Sequence, residues 1–337
     1  MIEKPKERKL SILGVLSSSD KPLISAQICD ELFSLGQQIS ERTVRLYLKQ
    51  MDEEGLIKTY GRRGREITEK GLKELESSRT LERVGFLSAK IDNMTYRMTF
   101  DLTTRSGTVV TNITLVKPGE LMKCVDMICR VFNNGYALGH LVALFEPGER
   151  LGRISVPPGM VGIGTVCSIT LNGVLIKYGV TTFSRFGGLL ELRDKKPNRF
   201  VEIIMYDGTT IDPLVVFIRS GMTDYMGAVK TGNGLIGASF REDPAESRNL
   251  VESTANELES VGLGGFMKIG RNGQSLLEVP VSIGRVGAIV IGGLNPVSIL
   301  EENGIRVLSS AMAGLIDFDR LFHYSELEKH LRTYIRI

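Results

Sequence analysis

Residues 40–68 read SERTVRLYLKQMDEEGLIKTYGRRGREIT, a helical period followed at once by a basic hairpin. That succession decides the fold of the N-terminal part. Stepping about 100° per residue from Arg42 gathers Val44, Tyr47, Leu48 and Met51 on one side of a helix and Arg42, Arg45 and Lys49 on the other. Ser40 is placed to cap this helix by accepting from an orphan backbone N–H, although Thr43 stands where a capping box would want Glu or Gln. Leu56 to Tyr60 and Arg65 to Thr68 are short extended runs around Gly61-Arg62-Arg63-Gly64, whose glycines can supply the positive φ of a tight hairpin. Arg62 and Arg63 are therefore expected at the hairpin tip. Leu46 falls inside the basic face, where it can touch a thymine methyl or pack on a neighbouring helix.

Working upstream, residues 7–17 repeat apolar residues at helical spacing, and Ser25 is expected to cap a second helix that carries Ile28, Leu32 and Phe33 to a stop at Gly36. Helix, helix, capped helix, hairpin is the order of a winged helix-turn-helix. Downstream, the run from Thr68 to Leu75, TEKGLKEL, resembles the I/L-T-x-x-G-x-x-x-L tail of winged-helix repressors. A polar run then suggests a linker over residues 77–84, which makes 1–76 the DNA-binding domain. The candidate DNA-contacting set is Ser40, Arg42, Thr43, Arg45, Lys49, Arg62, Arg63 and Arg65. Arg42, Thr43, Arg45 and Lys49 would enter the major groove, and the hairpin arginines would meet phosphates or the minor groove. The plainer reading, a solvated amphipathic face with a solubilising tip, requires both to be basic by accident on one side of a small domain.

At 337 residues the chain suits two domains, and its 42% hydrophobic and 24% charged residues are those of a globular protein. No apolar run approaches the roughly 20 residues that span a bilayer. The best candidate, Val286 to Leu300, is broken by Gly292, Gly293, Asn295 and Pro296. The opening MIEKPKERK carries charge without an apolar stretch, so a cytoplasmic protein with no membrane partner is expected. The net charge of +3 says little by itself, because a regulator can carry a neutral body and a local basic surface. Four cysteines and three histidines show no metal-ligand spacing, and Cys124 and Cys129 would point about 140° apart on a helix. Packed thiols and no metal are the expectation.

Beyond residue 85 the sequence repeats itself. Val156-Pro157 matches Val279-Pro280 at an offset of 123, and Gly164 with Gly287 and Asn172 with Asn295 keep that offset. Pro118 with Pro244 (126), Leu138-Gly139 with Leu263-Gly264 (125), and the run from Gly188 to Leu192 with that from Gly314 to Phe318 (126) extend the match. The expected architecture is an α/β regulatory domain over 85–325, built from two internally repeated halves of about 85–205 and 206–325, followed by a C-terminal tail over 326–337. Each half would run as an extended pair, a helix starting at Pro118 or at Asp243-Pro244, and a strand (140–145 or 265–269). A β-branched strand (165–170 or 286–291) and a helix capped by Asn172 or Asn295 would complete it.

The run from Gly232 to Gly237 spells G-x-G-x-x-G, but the residues after it run into Pro244 rather than opening a helix, so a dinucleotide site is rejected. There is no phosphate-cradling G-x-x-x-x-G-K-S/T, no G-x-S-x-G elbow and no catalytic constellation. What the repeat offers is a pair of helix N-termini after small-residue turns, which favour an anion: one dicarboxylate or two separate anions. The candidate effector-binding set is Thr165, Cys167, Ser168, Asn172, Gly292, Gly293 and Asn295, with Arg185, Arg241 and Arg285 as bidentate partners. The alternative carries equal weight: glycines for tight packing, asparagines as ordinary caps, and Arg241-Glu242 as an ion pair on a loop.

Four long phrases carry a resemblance to a known family: 162–173 GIGTVCSITLNG, 207–213 DGTTIDP, 234–242 GLIGASFRE, and 284–287 GRVG with 292–296 GGLNP. In this order the chain resembles the archaeal nitrogen-regulation repressors called NrpR. The resemblance implies a homodimeric, cofactor-free repressor on a double-stranded DNA operator of nitrogen-assimilation genes, released by 2-oxoglutarate as effector. Some members carry two regulatory domains in tandem, and this chain has room for one. That leaves open whether it binds DNA alone, works with a second regulator, or contacts the basal transcription machinery. The rival class is a metabolic enzyme acting on a small carboxylic acid, with the winged helix as an accessory. A third reading is a winged helix that binds protein rather than DNA.

Overall fold

The computed structural model describes residues 4–19, 21–34, 39–75 and 86–335. The chain divides into two compact units at Gly85/Phe86. In the first unit, α1 (Lys4–Ser17), α2 (Ser25–Ser34) and α3 (Glu41–Glu53) are followed by the hairpin strands β1 (Ile57–Thr59) and β2 (Arg65–Ile67) and by α4 over residues 69–75. Ile12, Leu16, Ile28, Leu32, Val44, Leu48 and Met51 form its core. The hairpin pairs Ile57 with Ile67 and Thr59 with Arg65, and Leu23 bridges Arg65 as a third antiparallel rung. Gly64 is required at that rung: its φ is 115°, and a Cβ would come within 2.6 Å of the Leu23 backbone. This is a winged helix.

Two details differ from the sequence expectation. Ser25 does not cap α2; its buried hydroxyl donates to Glu41 Oε1 and accepts from Arg45 Nε, which fastens α2 to α3. The stop at Gly36 and the linker over 77–84 lie outside the described residues.

The second unit runs α5 (Leu87–Arg97), β3 (Thr108–Val116), α6 (Pro118–Asn133), β4 (Leu141–Phe145), β5 (Arg150–Leu151), β6 (Ile154–Ser155), β7 (Val161–Val166) and α7 (Ile169–Lys177). β8 (Phe183–Arg193), β9 (Lys196–Met205), α8 (Pro213–Arg219), α9 (Tyr225–Thr231), β10 (Gly234–Pro244), α10 (Arg248–Ser260) and β11 (Phe266–Ile269) follow. β12 (Arg285–Ile291), α11 (Asn295–Glu302), β13 (Leu308–Asp317), β14 (Phe322–His323) and α12 (Leu327–Ile335) complete it. The strands form two five-stranded sheets of order β13-β3-β7-β4-β14 and β11-β12-β10-β8-β9, every pair antiparallel.

The sequence halves are therefore not two modules. β8, from the first half, pairs with β10 of the second; β13, from the second, pairs with β3 of the first. The first half hands β8 and β9, and the second half β13, to the other's sheet, so neither sheet is complete without both. The register also revises the repeat. Thr111 pairs with Val166 and Gly314, and Ala238 pairs with Ile291 and Gly188. Val166 and Ile291 are thus counterparts at an offset of 125, which makes Asn295 the counterpart of Thr170 and not of Asn172.

Other expectations are corrected by packing. The strand expected over 165–170 ends at Val166, and α7 begins at Ile169, so Asn172 lies inside the helix rather than capping it. Asn295 is the first residue of α11, and its side chain makes no capping bond. The helix expected at Pro244 starts at Arg248, because β10 continues through Pro244. The expected tail is the helix α12, whose Leu327 and Leu331 are fully buried in the same core as α6.

Candidate functional site

Two surfaces qualify, one in each unit. In the first, Ser40 caps α3 by accepting from the Thr43 amide at 3.3 Å, and its hydroxyl lies 2.8 Å from that of Thr43. Val44, Tyr47, Leu48 and Met51 are buried, which turns Arg42, Arg45 and Lys49 outward. The three cations are not equivalent. Arg45 is held to Glu41 at 2.7 Å and Lys49 lies 4.0 Å from Glu53, whereas Arg42 has no ion-pair partner among the described residues. Leu46 is 56% exposed on the same face. The hairpin tip is a short 3-10 turn over Gly61–Arg63, with Arg63 exposed and Arg65 half-buried on β2. Lys58 of β1 lies 5.3 Å over the Tyr60 ring, adding an exposed cation and aromatic that the sequence reading did not single out.

In the second unit, the turns before α7 and α11 meet at the pseudo-twofold axis around a small cavity. It is lined by Asn112, Cys167, Ser168, Tyr206, Asp212, Leu214, Ser239, Gly292, Gly293, Leu294 and Ala311, and its water-accessible volume is about 20 Å³. Both helix N-termini contribute, as expected of the repeated turns. The glycines are also demanded by contact: a Cβ on Gly293 would lie 2.6 Å from Asn112 Nδ2, and one on Gly292 would collide with Leu214 and Asn295. Burial pushes the Cys167 thiol up to about 11 and raises the Tyr206 hydroxyl, so both stay protonated near neutrality. Asp212 caps α8 by accepting from the Leu214 and Val215 amides, while desolvation raises its carboxyl above the ordinary range.

Directly behind Ser168 lies Arg241. It sits in β10, not on a loop, and is 1% exposed. Its Nη2 donates to the Ser168 carbonyl at 2.8 Å and its Nη1 to Asn172 Oδ1, while its Nε has no partner. Glu242, its sequence neighbour, pairs with Arg185 instead, at 2.7 Å. Asp243, also buried, accepts from Thr182 at 2.7 Å through Oδ1 and has no partner on Oδ2. A buried guanidinium bonded only to neutral acceptors, with a free N–H, is an electrostatic resource for an anion.

Of the ten residues proposed from sequence, Cys167, Ser168, Gly292 and Gly293 line the cavity, and Arg241 and Asn172 form the layer behind it. The other four serve elsewhere. Thr165 accepts from Asn112 at 3.3 Å; Asn295 donates to the Tyr136 and Gly237 carbonyls at 2.8 and 2.9 Å. Arg185 is neutralised by Glu242 and also donates to the Pro280 carbonyl, and Arg285 stands opposite Pro244 at the end of the β10–β12 ladder. Asn112, Tyr206, Asp212, Ser239 and Ala311 escaped the sequence reading because only long-range pairing brings them to the turns. The one signal available was the phrase 207–213, whose final Asp-Pro is a helix start.

Comparison with known proteins gives the same division. The model of NrpR regulatory domains NRD1 and 2 matches residues 84–323, and that of the ribonuclease R winged-helix domain matches residues 10–75. The chain is 34% identical to the global nitrogen regulator NrpRI of Methanosarcina mazei over 95% of this chain and 99% of that protein. It is 31% identical to the global nitrogen regulator NrpR of Methanococcus maripaludis over 97% of this chain but 56% of that protein. Among solved structures, a nitrogen repressor-like protein from Methanococcus jannaschii superposes with a TM-score of 0.61 at 25% identity, covering 71% of this chain and 99% of that one.

Proposed function

The chain belongs to the NrpR family of nitrogen regulators, and from that premise we propose that it is a transcriptional repressor of nitrogen-assimilation genes that leaves its operator when 2-oxoglutarate occupies the cavity between α7 and α11. It acts as a homodimer in the cytoplasm, each copy presenting α3 to a major groove and the hairpin tip to the backbone. The relatives are named as regulators, which sets the enzyme reading aside. The DNA half rests on the outward Arg42, Arg45 and Lys49 beside the Arg63 tip.

The observation that carries the effector half is Arg241: a fully buried cation with a free N–H behind the Cys167-Ser168 turn at the start of α7. A cavity of about 20 Å³ holds about one water molecule, so a five-carbon diacid enters only if the walls part. Binding then shifts the protein toward an arrangement with separated walls by its differential affinity for the two states. The test is operator binding by the full chain, with and without 2-oxoglutarate. The expected result is tight binding that millimolar 2-oxoglutarate weakens and that Arg63→Ala weakens with a salt slope smaller by about one. Binding to no fragment of nitrogen-assimilation promoters would leave a protein-docking winged helix as the better reading.

A further inference from the structure

The cavity has a second cation that its lining does not reveal. Lys90 projects from α5, and its Nζ donates to the Ala311 carbonyl at 3.1 Å; Ala311 is a wall residue of the cavity. That wall is the most distorted part of β13. The β3–β13 register breaks between Ser310 and Gly314, and Met312 takes a left-handed φ of 47°, a conformation that costs a non-glycine residue energy. Two side chains hold the bulge: Asn112, accepting from the Met312 amide at 3.1 Å, and Lys90 on the preceding carbonyl. An ammonium spent on one neutral carbonyl keeps two donors for another acceptor.

The charges around it argue that the acceptor is anionic. Partial burial lowers the Lys90 amine and Arg153 acts on it as a like charge, while Lys90 in turn offsets part of the desolvation that raises the Asp212 carboxyl and the Cys167 thiol. Asp212 is the acid in the cavity wall, and its Oδ1 accepts from the Leu214 and Val215 amides. With Arg241 on the Ser168 side and Lys90 on the Ala311 side, the cavity has a cation at each of two walls. That matches a molecule with an anionic group at each end.

α5 is also the first described element after the boundary between the two units, and it is tied to the cavity twice. The Leu87 amide donates to the Thr209 carbonyl at 2.8 Å, in the segment between Tyr206 and Asp212, and Lys90 reaches Ala311. We propose that Lys90 is a ligand for one carboxylate of the effector, exchanging the Ala311 carbonyl for it. This rests on the effector reading above.

The test uses the full chain and a panel of 2-oxoglutarate, glutarate and sulfate. Calorimetry compares the wild type with Lys90→Gln and Lys90→Arg, and acylation of each lysine is followed by mass spectrometry with and without each ligand. Removing one charged hydrogen bond should weaken diacid binding about tenfold or more in Lys90→Gln, with partial recovery in Lys90→Arg. In the wild type, Lys90 acylation should fall when the diacid is present. If the wild type binds 2-oxoglutarate while Lys90→Gln keeps full affinity and Lys90 acylation is unchanged, the inference is overturned and the effector reading stands. If glutarate alone protects Lys90, the inference stands and the identity of the effector changes. If the wild type binds no member of the panel and none protects Lys90, both are overturned.

Discussion

The two turns that meet at the pseudo-twofold axis share a backbone but not a chemistry. Cys167-Ser168 precedes α7 and Gly292-Gly293 precedes α11, at the offset of 125 that the strand register imposes. Behind the turns the scaffold repeats closely: the Thr170 hydroxyl bonds the Val110 amide and carbonyl, and Asn295 bonds the carbonyl of Gly237, the counterpart of Val110. The charges do not repeat. The β10 face that carries Arg241 and Asp243 corresponds on β3 to Thr114 and Val116, where Thr114 does no more than meet the Ser309 hydroxyl at 2.9 Å. A duplicated fold has thus kept its helix ends and placed its buried ions on one side. One asymmetric anion fits this arrangement better than two equivalent ones.

The largest effect should come from making the two sides alike. Arg241→Thr gives β10 the residue of its counterpart, strips Ser168 and Asn172 of a donor and leaves Asp243 without its nearest cation. Breaking a buried charge arrangement costs about 3–5 kcal/mol, so denaturant unfolding of the second unit should shift by that order and 2-oxoglutarate binding should vanish. Unchanged stability would mean that Arg241 is not the organising charge.

Next in size are the two side chains that fasten the turns. Asn295→Ala leaves the Tyr136 carbonyl buried without that donor and the Gly237 carbonyl with the Gly292 amide alone, whereas Thr170→Ala removes the side-chain partner of the Val110 amide and leaves the Val110 carbonyl to the Cys167 amide. At about 1–3 kcal/mol for a stranded buried group, Asn295→Ala should cost about 2–3 kcal/mol and Thr170→Ala less. Equal losses would show that the two fasteners are interchangeable. Smaller again is the contrast between Gly293→Ala, where a Cβ meets the Val166 carbonyl and Asn112, and Ser168→Ala on the opposite turn. Overpacking predicts about 1–3 kcal/mol for the first, and the second should stay within about 0.5 kcal/mol. Thermal unfolding of the pair measures it.

How far these features were legible in the sequence follows from the range of the interactions behind them. The winged helix is local: Ser40, the 3.6-residue period of α3 and the Gly-bounded tip act within a few residues, and they read correctly. The repeated turns also announced themselves, since Gly292 and Gly293 answer to contacts that no other residue fits. The strand exchange left no local trace. The β8–β9 pair and β13 close their halves in sequence, and only the hydrogen-bond partners of β8 and β13, about 50 and 200 residues away, assign them across. The 123-residue anchors misled for a related reason. Gly162 and Gly287 are the true counterparts, but Gly164 stands two residues along on the same face of β7 and matches as well by letter. Arg241 was legible as a candidate partner for an anion, but the alternative of an Arg241-Glu242 ion pair on a loop fails, because in β10 each charge is buried against a different partner. Lys90 carries no motif at all.

The smallest expected effect concerns protons. Asp212 is in the cavity wall with its carboxyl raised by desolvation, and only partly offset by the Leu214 and Val215 amides and by Lys90. A carboxyl whose pKa is higher in the fold than in the unfolded chain favours the fold in its protonated form. Its contribution is therefore fully present below the ordinary value of 3.8 and is lost as the pH rises through the raised folded value. Asp212→Asn keeps a good helix cap, since Asn and Asp serve equally at that position, and removes the titration. The stability of Asp212→Asn relative to the wild type should accordingly climb as the pH rises from 4 through the acidic range and then level off. Gly292 and Gly293, on the turn opposite Cys167-Ser168, have no titrating group and should give alanine variants whose deficits are flat across the same range. Unfolding curves collected at successive pH values separate the two patterns. A flat difference for Asp212→Asn would mean that Lys90 and the α8 amides compensate the buried carboxylate fully, so that its ionisation costs the fold nothing.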